Sequence, residues 1–417
     1  MFKQELHNRI YLILFSVLAF SLPLNRIISS YLIGLIILNW FLEGRFNKKF
    51  RSVFVSHHRL DTLLFAGLFL AYLAGMIYTS DTREGWTSVQ VKLSMFVFPM
   101  VFATLDDRAL EGKKRLIPLV SMIAGTFISG LICLGRALLK YADTGDPGSY
   151  YYIDLSYFHH PGYMAMFMVF SVALLNYFLQ VPPDRRRYKI WEKAVMITLI
   201  LFYSGFVILL SSKAGIITLI LIFFLHISYV IFIRRKYLYG LGLIFVISLM
   251  FAVLLKLFPF SITRFGVTGD AIATEQMTGE GTSDGTEERI LIWRHSMELA
   301  NEHFFFGLGT GDVTEALVSL YDSIDFHDAR DRKLNAHNEY LQTFLALGIG
   351  GFLILLLSLL LPGIYSIRKK QYVYFSFLLI IGFNILVESM FLRQAGVVFY
   401  AFFNAFLFMI PLDPGEK

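Results

Sequence analysis

The chain has 417 residues, of which 56% are hydrophobic and only 16% are charged, and its mean hydropathy is +0.61. An ordinary soluble domain carries about 25% charged residues, so this composition excludes a soluble domain and indicates a membrane protein. The chain has one cysteine, Cys133, which excludes a disulfide framework and a cysteine-based metal site. The net charge is +6, and its meaning depends on where the basic residues lie along the chain.

Apolar segments recur along the whole chain, and each approaches the roughly 20 residues that a membrane-spanning helix requires. Open strands cannot satisfy their backbone in lipid, so we expect helices. The sequence therefore predicts an all-α polytopic membrane protein, a single membrane domain over residues 1–417. The twelve predicted spans cover residues 9–24, 28–43, 62–79, 88–105, 116–139, 161–180, 191–210, 215–233, 238–258, 339–362, 372–388 and 394–411.

Lysine and arginine are concentrated in alternate connections. Basic runs follow the second, fourth, sixth, eighth and tenth predicted spans, whereas the other connections are short or mixed in sign. Because cytoplasmic loops carry the excess of basic residues, this pattern predicts that both termini are cytoplasmic. The positive charge is thus a topology signal, and no nucleic-acid partner is predicted.

Two longer hydrophilic segments then fall on the extracytoplasmic side. The first, at about 141–160, has the polar and aromatic sequence YADTGDPGSYYYIDLSYFHH. The second, at 259–336, lies between spans 9 and 10, and Ile290, Trp293 and Met297 are spaced in it as on one face of a helix. We expect that helix to stop at HFFFGLGTGD, where three glycines permit unusual backbone conformations. The sequence therefore predicts a large, partly helical loop.

Two motifs near the C-terminal end of this loop resemble a known family. ERILIWRHSMELANEHFFFGLGTGD, followed by NAHNEYLQTFLALGIGG, is similar to the O-antigen ligase and O-antigen polymerase superfamily in order and spacing. Three further segments support the likeness: LSSKAG at 210–215, HHPGYMAMF at 159–167 and VKLSMFVFPMVF at 91–102. One residue departs from the family pattern, because Lys213 stands where the family commonly has arginine.

The resemblance implies a bacterial inner-membrane enzyme with a glycosyltransferase C-like fold. Such enzymes move a glycan from undecaprenyl pyrophosphate to a sugar hydroxyl outside the cytoplasmic membrane. They are metal-independent and invert the anomeric carbon, so no cofactor and no metal is expected here. The donor is the lipid-linked glycan, and the acceptor is lipid A-core, another glycan or, in some members, a protein.

Two residues are the leading catalytic candidates. Arg289 supplies a planar guanidinium suited to a phosphate leaving group. An imidazole can accept or donate a proton, and the motif places His337 at the outer mouth of span 10, so His337 is proposed to act as a general base on the acceptor hydroxyl. Each has a structural alternative: Arg289 as a solvated charge on a loop helix, and His337 as a cap of span 10.

The remaining candidates are predicted to bind pyrophosphate or glycan. They are Lys213, Asn338, Lys92, Arg136, Arg264, His160, Glu388 and Arg393. Holding His337 in place is an alternative role for Asn338. Lys213 is also typical of a lysine that extends to the interface at a span end. Lys92 and Arg136 could instead form ion pairs inside the bundle, and Glu388 could pair with Arg393. His160 could shape the entry of span 6, and Arg264 could contact lipid headgroups.

Three classes of function remain open at this point. A glycosyltransferase on lipid-linked glycan predicts cations and a histidine gathered at the outer face. A transporter would place charges near the midplane of several spans, whereas predicted spans 8 and 9 contain almost none. A structural membrane protein would not need the Arg289 and His337 arrangement. Within the first class, ligation to lipid A-core leads, and polymerisation and protein O-glycosylation are the alternatives.

Overall fold

The computed structural model describes residues 2–55, 59–181, 188–257 and 286–412. This part of the chain is helical and contains no strand, which confirms the predicted all-α class. Seven helices make up the first part of the described chain. They are α1 (Phe2–Ser21), α2 (Arg26–Glu43), α3 (Phe46–Val55), α4 (Arg59–Gly75), α5 (Thr82–Lys92), α6 (Ser94–Thr104) and α7 (Ile117–Thr144).

The remaining helices form the second half of the bundle and the described part of the loop. They are α8 (Tyr152–Leu155), α9 (Pro161–Gln180), α10 (Ile190–Leu209), α11 (Lys213–Ser228), α12 (Tyr237–Leu257), α13 (Thr286–Glu302), α14 (Val313–Ser323), α15 (His327–Asp331), α16 (Glu339–Arg368), α17 (Tyr372–Val387) and α18 (Gln394–Met409). The loop is thus partly helical from residue 286 onward, and α13 ends just before the predicted glycine-containing stop.

Every predicted span coincides with helix in the described residues. Within the described residues, six helical segments are long and apolar enough to cross a bilayer, one of them being α5 and α6 together, and a seventh is added if α2 and α3 form one span bent by 114°. Shorter apolar helices lie at the predicted spans 3, 9, 11 and 12. The chain is therefore a multi-pass membrane protein, while the number twelve and the orientation stay predictions.

Two helices occupy the centre of the bundle, α9 and α18, and nearly all of their residues are buried. Phenylalanine rings fill the space between them: Phe170 lies 4.8 Å from Phe403 and 5.4 Å from Phe377 of α17, measured between ring centroids. By contrast α10 and α12 expose many large apolar side chains. An apolar face of this extent is typical of contact with lipid.

Helix α16 is broken inside its predicted span, which the sequence analysis did not anticipate. Gly348 has φ 64° and ψ −162°, so the helix stops and restarts there. A Cβ at Gly348 would collide with the carbonyl of Phe305, which lies in the turn between α13 and α14. Both the left-handed backbone and the close approach require glycine at this position.

Gly348→Ala is expected to destabilise the protein by about 1–3 kcal/mol, because it adds backbone strain and a clash with Phe305. Gly350→Ala is the matched control, since a Cβ there meets open space. Thermal unfolding of both variants in the same detergent measures the difference. An equal melting temperature for the two variants would contradict this account of the break.

Candidate active site

A cavity of about 320 Å³ lies at one end of the bundle, where several helices begin. Its walls come from the starts of α9 and α11, from the first turns of α13 and from the end of α17. His160 caps α9 and Ser212 caps α11, each accepting a backbone N–H from its own helix. Helix N-termini carry partial positive charge and free N–H groups, so this geometry favours an anionic ligand.

Ionisable side chains from four separate parts of the chain line the cavity: His160, Lys213, Arg289 and Glu388. Apolar side chains complete the lining: Ile217, Ile290, Trp293, Phe383 and Val387. A cavity lined by both cationic and apolar groups can hold an amphipathic anion. Four of the residues predicted to form the site are therefore brought together.

Arg289 projects from the first turn of α13 toward the end of α17. Its Nη1 donates to the carbonyl of Val387 at 3.1 Å, and its Nη2 lies 3.5 Å from Glu388 Oε2. The Arg289 side chain is 32% exposed and lines the cavity. The arginine is thus oriented by protein contacts instead of being a freely solvated charge.

His337 lies beside the same carboxylate. Its Nδ1 is 3.6 Å from Glu388 Oε2, an ion-pair distance slightly beyond hydrogen-bond range, and it has no hydrogen-bond partner among the described residues. Hydrogen bonds of catalytic groups are often long in unliganded proteins and tighten when substrate binds. Glu388 therefore connects the imidazole of His337 with the guanidinium of Arg289.

The segment that carries His337 is held against the residues that follow α17. Asn338 caps α16 by accepting from the N–H of Leu341 at 3.1 Å, and its own N–H donates to Ser389 Oγ at 3.2 Å. Glu339, fully buried, accepts from the N–H of Phe391 at 2.7 Å. These bonds fix the position of His337 relative to Glu388.

Left-handed backbone occurs at three non-glycine residues in or beside the cavity: Tyr152, Ser211 and His337, with φ of 52°, 49° and 45°. Such conformations cost about 1–2 kcal/mol each and are enriched at functional sites. His337 is oriented by this backbone and by the bond from its N–H to Asn335 Oδ1, at 2.8 Å. The cap of α16 belongs to Asn338, so the alternative in which His337 caps span 10 is wrong.

The protein surroundings lower the pKa of the His160 imidazole. Burial is the main cause, Glu388 opposes it, and the cation of Arg289 adds to it. His160 is consequently neutral near pH 7 and can donate or accept a hydrogen bond in the cavity. His160 caps α9, in agreement with a role in shaping the entry of span 6, and it also lines the cavity, while its binding of glycan stays a prediction.

Other predicted site residues lie elsewhere. Lys92 is completely buried, donates to Ser88 Oγ at 2.9 Å and lies 4.2 Å above the ring of Tyr72, so it contacts protein and does not line the cavity. Arg136 is exposed and stacks on Tyr157 at 3.6 Å. Arg264 lies outside the described residues.

Two further assignments need correction. The predicted pair between Glu388 and Arg393 is not formed, since Glu388 contacts Arg289 and His337 instead. Arg393 is exposed at the start of α18, near enough to His160 to affect its charge state. Asn338 uses its side-chain oxygen for the helix cap and does not hold His337.

Sequence reasoning missed two members of this region. Tyr152 was noted only within an aromatic run, and its left-handed backbone leaves no signal in the sequence. Glu339 had a usable signal, because it is an ionisable residue at the very start of a predicted span, where such residues are costly. The sequence analysis treated Glu339 only as part of the motif around His337 and assigned it no role.

Comparison with known proteins was informative for one stretch of the chain. Residues 198–356 match the family model described as O-antigen ligase. The match includes Lys213, Arg289, His337 and Asn338, whereas His160 and Glu388 lie outside it. No curated protein matches the chain.

Proposed function

From the match of residues 198–356 to the O-antigen ligase family model, we propose that the protein transfers a glycan from undecaprenyl pyrophosphate to a sugar hydroxyl of lipid A-core. The observation that carries the proposal is the cavity at the helix N-termini, in which Arg289, Lys213 and Glu388 surround one space. In this proposal the protein lies in the bacterial inner membrane with both termini in the cytoplasm, and the cavity faces the periplasm.

The cationic groups of the cavity suit the pyrophosphate of the donor. Arg289 and Lys213 supply two positive charges, and the N-termini of α9 and α11 supply backbone N–H groups. Negative charge grows on the pyrophosphate as its bond to the anomeric carbon breaks, so these groups stabilise the transition state more than the bound donor. The apolar side chains around Trp293 suit the isoprenoid chain.

The acceptor side of the reaction requires removal of one proton. In the proposed step the acceptor hydroxyl attacks the anomeric carbon, its proton passes to His337, and the lipid pyrophosphate departs with the bonding electron pair. Glu388, 3.6 Å from His337 Nδ1, stabilises the imidazolium that results. A single displacement of this kind inverts the anomeric configuration.

A complementation experiment tests this function. The wild-type gene and separate His337→Ala and Arg289→Ala variants are placed in a strain lacking its own copy, in a host that makes the matching glycan. We expect the wild type to restore long chains on lipid A-core, and both variants, shown to be present in the membrane, to leave glycan on its lipid carrier. Conversion of single-repeat glycan into long chains by the wild type would indicate a polymerase instead, and no change in any glycan would indicate a transporter.

Metal removal is expected to leave the transfer rate unchanged. The described residues contain no group of three or more His, Cys, Asp or Glu side chains that could hold a metal ion, and the cations of the cavity already serve a diphosphate leaving group. The measurement is the initial rate in proteoliposomes before and after treatment with EDTA. A loss that added Mg²⁺ or Mn²⁺ restores would contradict the prediction.

A further inference from the structure

The turn between α13 and α14 pairs with the break in α16. The N–H of Ile349 donates to the carbonyl of Phe304 at 2.8 Å, and the N–H groups of Leu308 and Gly309 donate to the carbonyls of Leu345 and Ala346 at 2.8 and 3.0 Å. These bonds occupy backbone groups that the break would otherwise leave without partners. The turn is therefore hydrogen-bonded to α16 and forms part of the helical bundle.

The length of the helix after the break sets the depth of this turn. From residue 349 to residue 368, α16 has about 20 residues, which at about 1.5 Å per residue gives about 30 Å, the thickness of the hydrocarbon layer. If residues 349–368 span that layer, the break lies at its boundary, at the end of the bundle where α16 begins. The end of α4 is at the same level, because Thr310 Oγ donates to the carbonyl of Tyr72.

The surface of this turn is apolar and exposed. Phe305 and Phe306 are 73% and 75% exposed, and Ile77, just after α4, is 87% exposed. Tyr78 joins the two segments by donating to the carbonyl of Phe306 at 2.6 Å. Such a cluster is unfavourable in water, whereas aromatic side chains are enriched at the membrane–water interface.

We propose that Phe305 and Phe306 insert into the bilayer at its interface, so that lipid is the partner of this surface. The occupant is lipid and not a second protein because the turn is continuous with the membrane-spanning part of α16 and lies at the hydrocarbon boundary. No basic side chain belongs to the cluster of Ile77, Tyr78, Phe305 and Phe306, so insertion does not depend on anionic headgroups. Arg289 is carried at the other end of α13, and the inserted turn fixes the depth of that helix.

Fluorescence quenching tests the insertion directly in the full-length protein. Phe306→Cys is introduced into a Cys133→Ala background, labelled with an environment-sensitive fluorophore and reconstituted in phosphatidylcholine nanodiscs. Ser323→Cys, at the exposed end of α14, is the matched control. We expect nitroxide attached to the upper part of the lipid acyl chains to quench the label at 306 several-fold more than aqueous iodide does, and the reverse at 323.

Two results would overturn the proposal. Equal quenching of the two labels by iodide would place residue 306 in water, and protection of the label at 306 from both quenchers would mean that protein covers it. A second variant separates the anchor from the fold: Phe305→Trp/Phe306→Trp should keep the lipid quenching of a label at Ile77→Cys, whereas Phe305→Ser/Phe306→Ser should lose it. These readouts need no glycan transfer, so they remain informative if the proposed enzymatic function fails.

Discussion

Arg289→Ala is expected to lower glycan transfer by about 100- to 1000-fold, the usual effect of removing one donor that stabilises transition-state charge. The guanidinium is oriented by Val387 and Glu388, and Arg289 lines the cavity, so in the proposed reaction its loss leaves the developing pyrophosphate charge with one cation fewer. Arg289→Lys should recover only part of the rate, because an ammonium keeps the charge without the planar fork. The measurement is the initial transfer rate with purified lipid-linked donor in proteoliposomes.

The control for Arg289 lies on the same helix. Arg294 is exposed and does not line the cavity, so Arg294→Ala changes the net charge of α13 equally without touching the site. It should retain nearly the full rate. If Arg294→Ala and Arg289→Ala lose activity to the same degree, the charge of the helix matters and the specific position of Arg289 does not.

His337→Asn is expected to reduce transfer by about 100- to 10,000-fold, the range for a positioned general base. Asparagine tolerates the left-handed backbone at this position, so a loss reports the imidazole and not backbone strain. Glu388→Gln should also reduce the rate, and the double variant should be little worse than His337→Asn alone, because the two groups act as one unit. The measurement is again the initial rate, with membrane levels matched.

His303→Asn is the control for this pair, since His303 is exposed at the end of α13, away from Glu388. Losses that multiply in the double variant would mean that His337 and Glu388 act independently. Full activity of Glu388→Gln would restrict the proton transfer to His337 alone.

The positions of the helices were predictable because burial in lipid imposes a strong apolar signal. Each predicted span coincides with helix, and the glycine-containing stop after α13 was located correctly. The break at Gly348 was not predicted, because the surrounding LALGIGG reads as a continuous apolar span. The break pairs with the turn at residues 304–309, which is distant along the chain. The hydropathy of residues 339–362 alone contains no information about that turn.

The site was predicted in its residue types better than in its pairings. Chemistry and resemblance selected Arg289, His337, Lys213, His160 and Glu388, but proximity in sequence suggested Arg393 as the partner of Glu388. The partner in the structure, Arg289, is 99 residues away along the chain. Lys92 was misassigned for a similar reason: its place inside a span indicated importance, but not whether it faced the cavity or Tyr72.

The bonds between residues 304–309 and 345–349 have a consequence for biogenesis. The carbonyls of Leu345 and Ala346 gain their partners only when the preceding turn, at residues 304–309, folds back on α16. Completion of this helix therefore depends on a segment that is synthesised earlier and that, in the predicted topology, lies at the outer face. A chain in which the loop is replaced by a short linker would retain all its apolar segments, yet it would leave this helix incomplete and exposed to quality-control proteolysis.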